Sequence, residues 1–386
     1  MKNIELLFSK NGKTNVRPRI INNSFLYKSK STVLGGNEIH EIIKYVNKLE
    51  NDFSLNFCKI VFDLRTISKI ADKLTYIVLE SICYYITVVK NGLVDVLLSE
   101  KIRLNIFNDG FRNSILYTYS IRHKQSSCVE FEKNYKMIIY KNHYRRLLTN
   151  ENYISNSNLL SAIMYEIDIF LHSYINDEEC CDDVSATLIE ILGNGVEHSE
   201  SDCLIDIDIE DNYIKENNED ELYYGINIVV IDFSKNLLHD KLREKIYSDN
   251  SLLKDRYMKV KNALKVHSKY FCNEYNEQDF FNLASFQDKI SGDLNKNEYG
   301  GKGLTELIKS LEIRSETNKC YVMSGNGILY FKEKYLKYNT DGWIGFNDAN
   351  DFETTPPDYD TVVDRSKVYF PGTAYNLNFV IKKEVK

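Results

Sequence analysis

Apolar residues along this chain fall into two periods. Residues 59–64 (KIVFDL) form a short apolar run closed by an Asp, the pattern of a buried strand. From 74 to 89 the period changes: Leu74, Ile77, Val78, Ile82 and Ile86 recur at helical spacing. Residues 102–107 (IRLNIF) predict a second strand, and the Asn-Asp-Gly at 108–110 is a turn signal. A further strand is predicted at 137–140. Strand–helix–strand order implies parallel pairing through a crossover helix, so residues 1–150 read as an α/β domain.

The second half has a different rhythm. Apolar stripes predict helices at 159–172 and 182–198, then strands at 203–209 and 225–231. A long polar, helix-prone stretch fills 233–298. A helix starts near Leu304, and strands return at 320–323, 327–331 and 375–381. The pattern predicts an α+β two-layer sandwich over 151–386, with helices on one face of a mixed sheet. Residues 141–157 are polar and Asn/Ser-rich, so the division is set there. No internal repeat is visible.

Composition narrows the function classes. With 386 residues the chain is too long for one ordinary core and suggests about two or three domains. It is 43% hydrophobic and 27% charged, as expected of a globular chain. The richest apolar segment, 74–89, contains Glu80 and is too short to span a bilayer. The N-terminus has no signal-peptide pattern, so a cytoplasmic protein is expected. None of the eight cysteines forms a CxxC pair, which argues against a zinc ribbon. A net charge of −7 disfavours nucleic acid as a partner. The one basic patch, KNHYRR at 141–146, reads as a solvated connector.

Three segments carry candidate chemistry. In EILGNGVEHS (190–199), Glu190, Asn194 and His198 recur every four residues and share one helix face beside an apolar stripe. Gly193 and Gly195 inside that helix cost about 1 kcal/mol each relative to Ala, which suggests close approach by a ligand or another part of the chain. The strand 228–232 (IVVID) ends in Asp232, where a sheet can hold a carboxylate rigidly or simply cap a loop. Finally YGGKGL (299–304) opens a helix with glycines and a lysine, a geometry suited to phosphate, though it is not a Walker A loop.

In order and spacing these segments resemble the GHKL ATPases, the superfamily of sensor histidine kinases, type II topoisomerase ATPase subunits, mismatch-repair ATPases, heat-shock chaperones and anti-sigma-factor serine kinases. EILGNGVEHS is similar to the N box, VVIDFSKN stands in the place of the G1 box and GGKGL in that of the G2 box. SGNGILYF (324–331) and PGTAYNLNF (371–379) are similar to the last strands. The resemblance covers about 155–386 and implies the Bergerat ATP-binding fold. It implies that Asn194 ligates Mg²⁺, that Glu190 orients or deprotonates the attacking water, and that Asp232 takes the adenine amino group. The GGKGL turn, with Gly301, Lys302, Gly303 and Leu304, would receive the phosphates of ATP, and 233–298 would be the lid. In the first half, 59–82 resembles the strand–loop–helix of STAS domains, although Thr66, Ser68 and Thr75 do not match the usual Asp-Ser phosphorylation pattern.

The chain also departs from that superfamily. Ser234 and Asn236 replace the usual G1 glycines, and Glu197 stands where many relatives carry a basic residue. Three functions therefore remain open. The first is a Mg-ATP-binding regulatory protein that passes its nucleotide state to a protein partner, with a homodimer expected by analogy. The second is an active ATPase or anti-sigma-type protein serine kinase. The third is a degenerate, non-catalytic interaction module.

Overall fold

The computed structural model describes residues 1–105, 107–121, 128–215, 218–248, 255–290, 303–316, 319–362 and 365–383. In the first half α1 (Leu6–Ser9) precedes a hairpin of β1 (Arg19–Ile21) and β2 (Ser24–Lys28). Then follow β3 (Val33–Leu34), α2 (Gly36–Phe53), β4 (Lys59–Asp63), β5 (Lys69–Ile70), α3 (Lys73–Tyr84), β6 (Leu93–Leu97) and β7 (Arg103–Leu104). Next come α4 (Asn108–Arg112), α5 (Ile115–Ile121) and α6 (Cys128–Lys136). Strands β2, β4 and β6 pair in parallel, and so do β3, β5 and β7.

A strand–strand–helix unit therefore recurs. Phe25, Ile60 and Val94 stand in register in one sheet, and Val33, Lys69 and Arg103 in the other. This repetition is one of geometry and was not visible in the residues. The predicted strand at 102–107 shrinks to Arg103–Leu104, because the main third strand is β6, and the Asn-Asp-Gly turn becomes the start of α4.

In the second half β8 (Met137–Tyr140) and β9 (His143–Leu148) lead to α7 (Asn150–Ser155), α8 (Leu159–His172) and α9 (Glu178–Ser199). Then come β10 (Cys203–Lys215), β11 (Asn218–Asp232), α10 (Asp240–Tyr247), α11 (Asp255–His267) and α12 (Glu277–Ser285). The chain continues through α13 (Gly303–Arg314), β12 (Tyr321–Gly325), β13 (Gly327–Tyr330), α14 (Tyr359–Val362) and β14 (Phe370–Lys382). A seven-stranded sheet runs β13-β12-β14-β11-β10-β9-β8, and each neighbouring pair is antiparallel rather than mixed. Residues 137–148, assigned from the sequence to the first unit or its connector, thus belong to this sheet.

Both faces of the sheet are buried, and the alternation along its strands sorts two cores. Ile205, Ile207, Ile226, Ile228, Val230, Leu377 and Phe379 pack under α8, α9 and α13. Leu204, Val229, Ile231 and Ala374 face the first half, where they join α2 and α3. Every residue of α3 is buried, including Lys73 and Glu80, which explains an apolar run that reads almost like a membrane span. Asp72 caps that helix, accepting from the Thr75 N–H at 2.8 Å and the Thr75 hydroxyl at 2.7 Å. No helix among the described residues is long and apolar enough to cross a membrane.

The KNHYRR patch is corrected outright. Its alternate residues His143 and Arg145 point into the seam between the halves, opposite Asp208 and Asp206 of β10. Arg145 is fully buried; Nη2 lies 2.5 Å from Glu80 of α3, and Nε donates to Asp206. The Lys73 ammonium sits 2.6 Å from both Asp206 and Asp208. Burial alone would lower the His143 pKa, but the two carboxylates outweigh it and raise it. Burial would likewise raise Asp206, yet Arg145, His143 and Lys73 hold it well below the usual carboxylate range. Three cations thus face three carboxylates. His143, Asp206 and Asp208 converge closely enough to hold a metal ion, but Lys73 and Arg145 already occupy the role of counter-charge.

The segment read as a lid is also different. Over 240–290 the described residues form α10, α11 and α12, which pack as a helical layer. Val260, Ala263, Phe280, Phe281 and Phe286 are buried against Trp343, Phe346 and Phe352. Asn276 and Asp279 close a capping box on α12. His267 Nε2 lies 2.8 Å from the Phe352 carbonyl, and Arg256 donates to Gly342 O at 2.6 Å while lying 4.1 Å over Trp343. The described parts of that segment, 240–248 and 255–290, are tied down as core structure, while 249–254 and 291–298 lie outside the described residues.

Candidate functional site

The site is built from α9, the end of β11, the start of β14 and the start of α13. Helix α9 is capped by Asp177, whose carboxylate accepts the Cys180 N–H at 3.0 Å. It packs antiparallel to α13. Thr187 and Ser310 meet through their hydroxyls at 3.0 Å, and Arg314 Nη2 lies 2.9 Å from Asp183. These two contacts fix the register. On straight helices the same register, carried two turns further, would set Gly303, the first residue of α13, level with Asn194. Glu190 and Asn194 stand three and seven residues beyond Thr187 and so lie along the same row. Glu190 is exposed and Asn194 half-buried.

Beneath this row lies Asp232, the last residue of β11 and 5% exposed. Its neighbour across the ladder is Thr373 of β14, whose backbone N–H favours the ionised form of the carboxyl. Oδ1 of Asp232 is buried with no hydrogen-bond partner. Burial pushes the Asp232 pKa well above its ordinary value, and the Thr373 N–H only partly opposes this. An orphaned buried carboxyl oxygen costs free energy unless something else satisfies it.

Two glycines make room around that carboxyl. A Cβ on Gly195 would lie 2.9 Å from Cys203 Sγ, so α9 can reach β10 only with glycine there; Asp232 Oδ2 would be 4.0 Å away. At Gly193 the added atom would meet Leu160 at an ordinary 3.5 Å, so close approach explains only one of the pair. Gly372 is the sharper case. It has φ +92°, and a Cβ would stand 2.5 Å from both the carbonyl oxygen and Oδ1 of Asp232. Gly372→Ala is expected to cost about 2 kcal/mol or more through left-handed strain and overlap. Urea unfolding would measure it, and a midpoint equal to wild type would show that the backbone relaxes freely.

The other sequence-derived candidates are placed as follows. Gly301 and Lys302 lie outside the described residues, as does the His198 side chain. Gly303 starts α13, and Leu304 is half-buried and packs on the core under it. Glu197, which stands where many relatives of that superfamily carry a basic residue, accepts a 2.6 Å bond from the Tyr153 hydroxyl of α7. Ser234, replacing a G1 glycine, is buried, and its N–H bonds Pro371 O at 3.3 Å beside Gly372. In the first half, Thr66 and Ser68 donate to the carbonyls of Ser29 and Thr32, and Thr75 is held by Asp72. Thr373 and Gly372 were missed as partners of Asp232. Their signal was the PGT that opens β14, but only strand pairing reveals which carboxylate it meets.

Compared with protein-family models, curated proteins and solved structures, the chain matches none.

Proposed function

We propose that this protein binds Mg-ATP between α9, β11 and the start of α13, in the manner of the GHKL superfamily, and that the bound state is passed on to a protein partner. The observation that carries the reading is Asp232, a strand-end carboxyl buried with one oxygen unsatisfied. A protonated carboxyl offers one donor and one acceptor, and the amidine edge of adenine offers one acceptor and one donor. Asn194 supplies a side-chain oxygen of the kind Mg²⁺ prefers, and the first turn of α13 offers backbone N–H groups and partial positive charge to phosphates. The metal would supply charge neutralisation for those phosphates. Glu190 is exposed in the same row and available to a water molecule, but the proposal concerns binding and not turnover.

The first half fits a transmitting role because it grips both segments that flank Asp232. The Met1 ammonium lies 3.5 Å from Asp202, the Lys2 N–H donates to Asp202 at 2.7 Å, and Lys2 Nζ reaches Glu200 O at 2.9 Å. Asn11 accepts from the Tyr369 N–H at 2.6 Å and donates to Tyr369 O at 2.8 Å, just ahead of β14. A cytoplasmic setting, rich in ATP and Mg²⁺, agrees with eight cysteines that are all free thiols.

Thermal unfolding tests the reading. At 100 times its dissociation constant, Mg-ATP should stabilise the fold by about 2.7 kcal/mol. That shift should require Mg²⁺ and vanish in Asn194→Ala. An Asn194→Ala protein that responds like wild type would remove the metal assignment.

A further inference from the structure

A second polar site lies on the opposite face of the sheet, in the seam with the first half. There a cavity of 170 Å³ is lined by Asn227 of β11, Asn376 and Asn378 of β14, Tyr321 of β12, Tyr330 of β13 and Lys73 of α3. The strand register explains the three amides. Asn227 stands opposite Asn378, and Asn376 is two residues along the same face. Further along that face the side chains are apolar, Val229, Ile231 and Ala374, and are closed over by the first half. The seam therefore changes from a dry contact to an amide-lined hollow over a few residues. Asp232 and Thr373 point to the other side of the sheet, towards α9.

Most polar groups in the hollow are engaged, which makes the exception informative. Lys73 is committed to Asp206 and Asp208, and it also donates to Asn227 O at 3.1 Å. Asn376 accepts the Leu74 N–H at 3.2 Å and donates to Lys319 O at 3.1 Å. Asn378 donates to the same carbonyl at 2.9 Å, and the Tyr321 hydroxyl donates to Asp72 at 2.9 Å. The Asn227 side-chain oxygen is buried and has no partner. A ligand N–H is what it lacks. The Lys319 side chain, at the exposed rim, has no ion-pair partner among the described residues.

Size and charge select the ligand. A cavity of about 150 Å³ accommodates one benzene ring, so this one suits a single ring with small substituents and not a purine nucleotide. Lys73 is already neutralised by Asp206 and Asp208, and the Asp72 carboxylate in the wall is held by the Thr75 N–H, the Thr75 hydroxyl and the Tyr321 hydroxyl, so the interior offers no cation to an anionic group and the buried part of the ligand is uncharged; the Lys319 ammonium at the rim suits an anion left outside. The Tyr321 and Tyr330 rings, 5.6 Å apart, offer aromatic surface to a planar ring. We propose that this cavity binds a heterocycle of the pyrimidine-base class through the Asn227 oxygen, with an anionic substituent beside Lys319.

Calorimetric titration of cytidine and uridine 5′-monophosphates, with their parent nucleosides, into the full chain tests this. At least one monophosphate should bind with a dissociation constant below about 1 mM. Lys319→Glu, an exposed change that leaves the fold intact, should weaken the monophosphate by about tenfold or more, the equivalent of about 1.4 kcal/mol, and leave the nucleoside unchanged. Asn227→Leu should abolish both, whereas Asp232→Asn, across the sheet, should leave both intact. The proposal is overturned if no pyrimidine binds and the hollow holds only water. It is equally overturned if binding is lost in Asp232→Asn but survives Lys319→Glu. Should Asn227→Leu fail to fold, the Lys319→Glu comparison decides alone.

Discussion

Replacing Arg145 by Met is expected to destabilise the protein by about 3–5 kcal/mol, the cost of stranding charges in a dry interior. Arg145 is fully buried and bridges Glu80 of α3 to Asp206 of β10. With it gone, two cations, Lys73 and His143, face three carboxylates. The excess charge is poorly solvated, because all these groups are at most 1% exposed. Urea unfolding at neutral pH reads the effect. A second change, Glu80→Met, should recover part of the loss, since each substitution removes the charge that the other leaves unpaired. Glu80 also accepts the Leu116 N–H at 2.9 Å, so recovery will be incomplete. A loss below about 1 kcal/mol in Arg145→Met would mean that the cluster is solvated and does not hold the halves together.

The second large effect concerns Asp232 and runs the other way. Its pKa is raised in the folded protein by burial. Below the ordinary carboxyl pKa of about 3.9 both folded and unfolded states carry the proton, and the group contributes nothing. As pH rises the unfolded state ionises first, so the unfolded state gains and the fold is penalised. Asp232→Asn removes that penalty while keeping a donor and an acceptor. The variant is expected to melt above wild type at pH 7, with the gap closing as pH falls towards 4. A gap that is absent, or that widens in acid, would show that the carboxyl is ionised and satisfied in the native state. A stabilising substitution at a strand end is what a site held open for a ligand would give.

How much of this was legible in the residues varies by element. Helix α8 spans the residues of its apolar stripe, and β4 and β11 fall where short apolar runs end in Asp63 and Asp232. Helix α8 buries one stripe and the end of β11 buries both faces, and each leaves its mark in consecutive residues, so local pattern suffices. The buried ion cluster was hidden because its signal is pairwise. His143 and Arg145 alternate in KNHYRR, Asp206 and Asp208 alternate in β10, and each strand alone looks like a solvated edge. Only antiparallel pairing of the two makes them a neutral interior. The helical layer over 240–290 was missed for a related reason, since its apolar partners, Trp343 to Phe352, come more than fifty residues later. The strand–strand–helix repetition of the first half left no trace in residue identity because β3, β5 and β7 are only two residues long. In the candidate site, the row Glu190–Asn194 and the strand-end Asp232 could be read directly. Gly372 and Thr373 could not, because nothing local links them to Asp232.

The central claim is adenine recognition at Asp232, and calorimetric titration of Mg-ATP into the full chain tests it most directly. Mg-GTP and the Asp232→Ala protein, which has neither donor nor acceptor there, serve as comparisons. A single site for Mg-ATP, with Mg-GTP bound at least about tenfold more weakly and Asp232→Ala losing that discrimination, is the predicted result. Equal binding of the two nucleotides, or no binding of either by a wild-type chain that unfolds cooperatively, would contradict it.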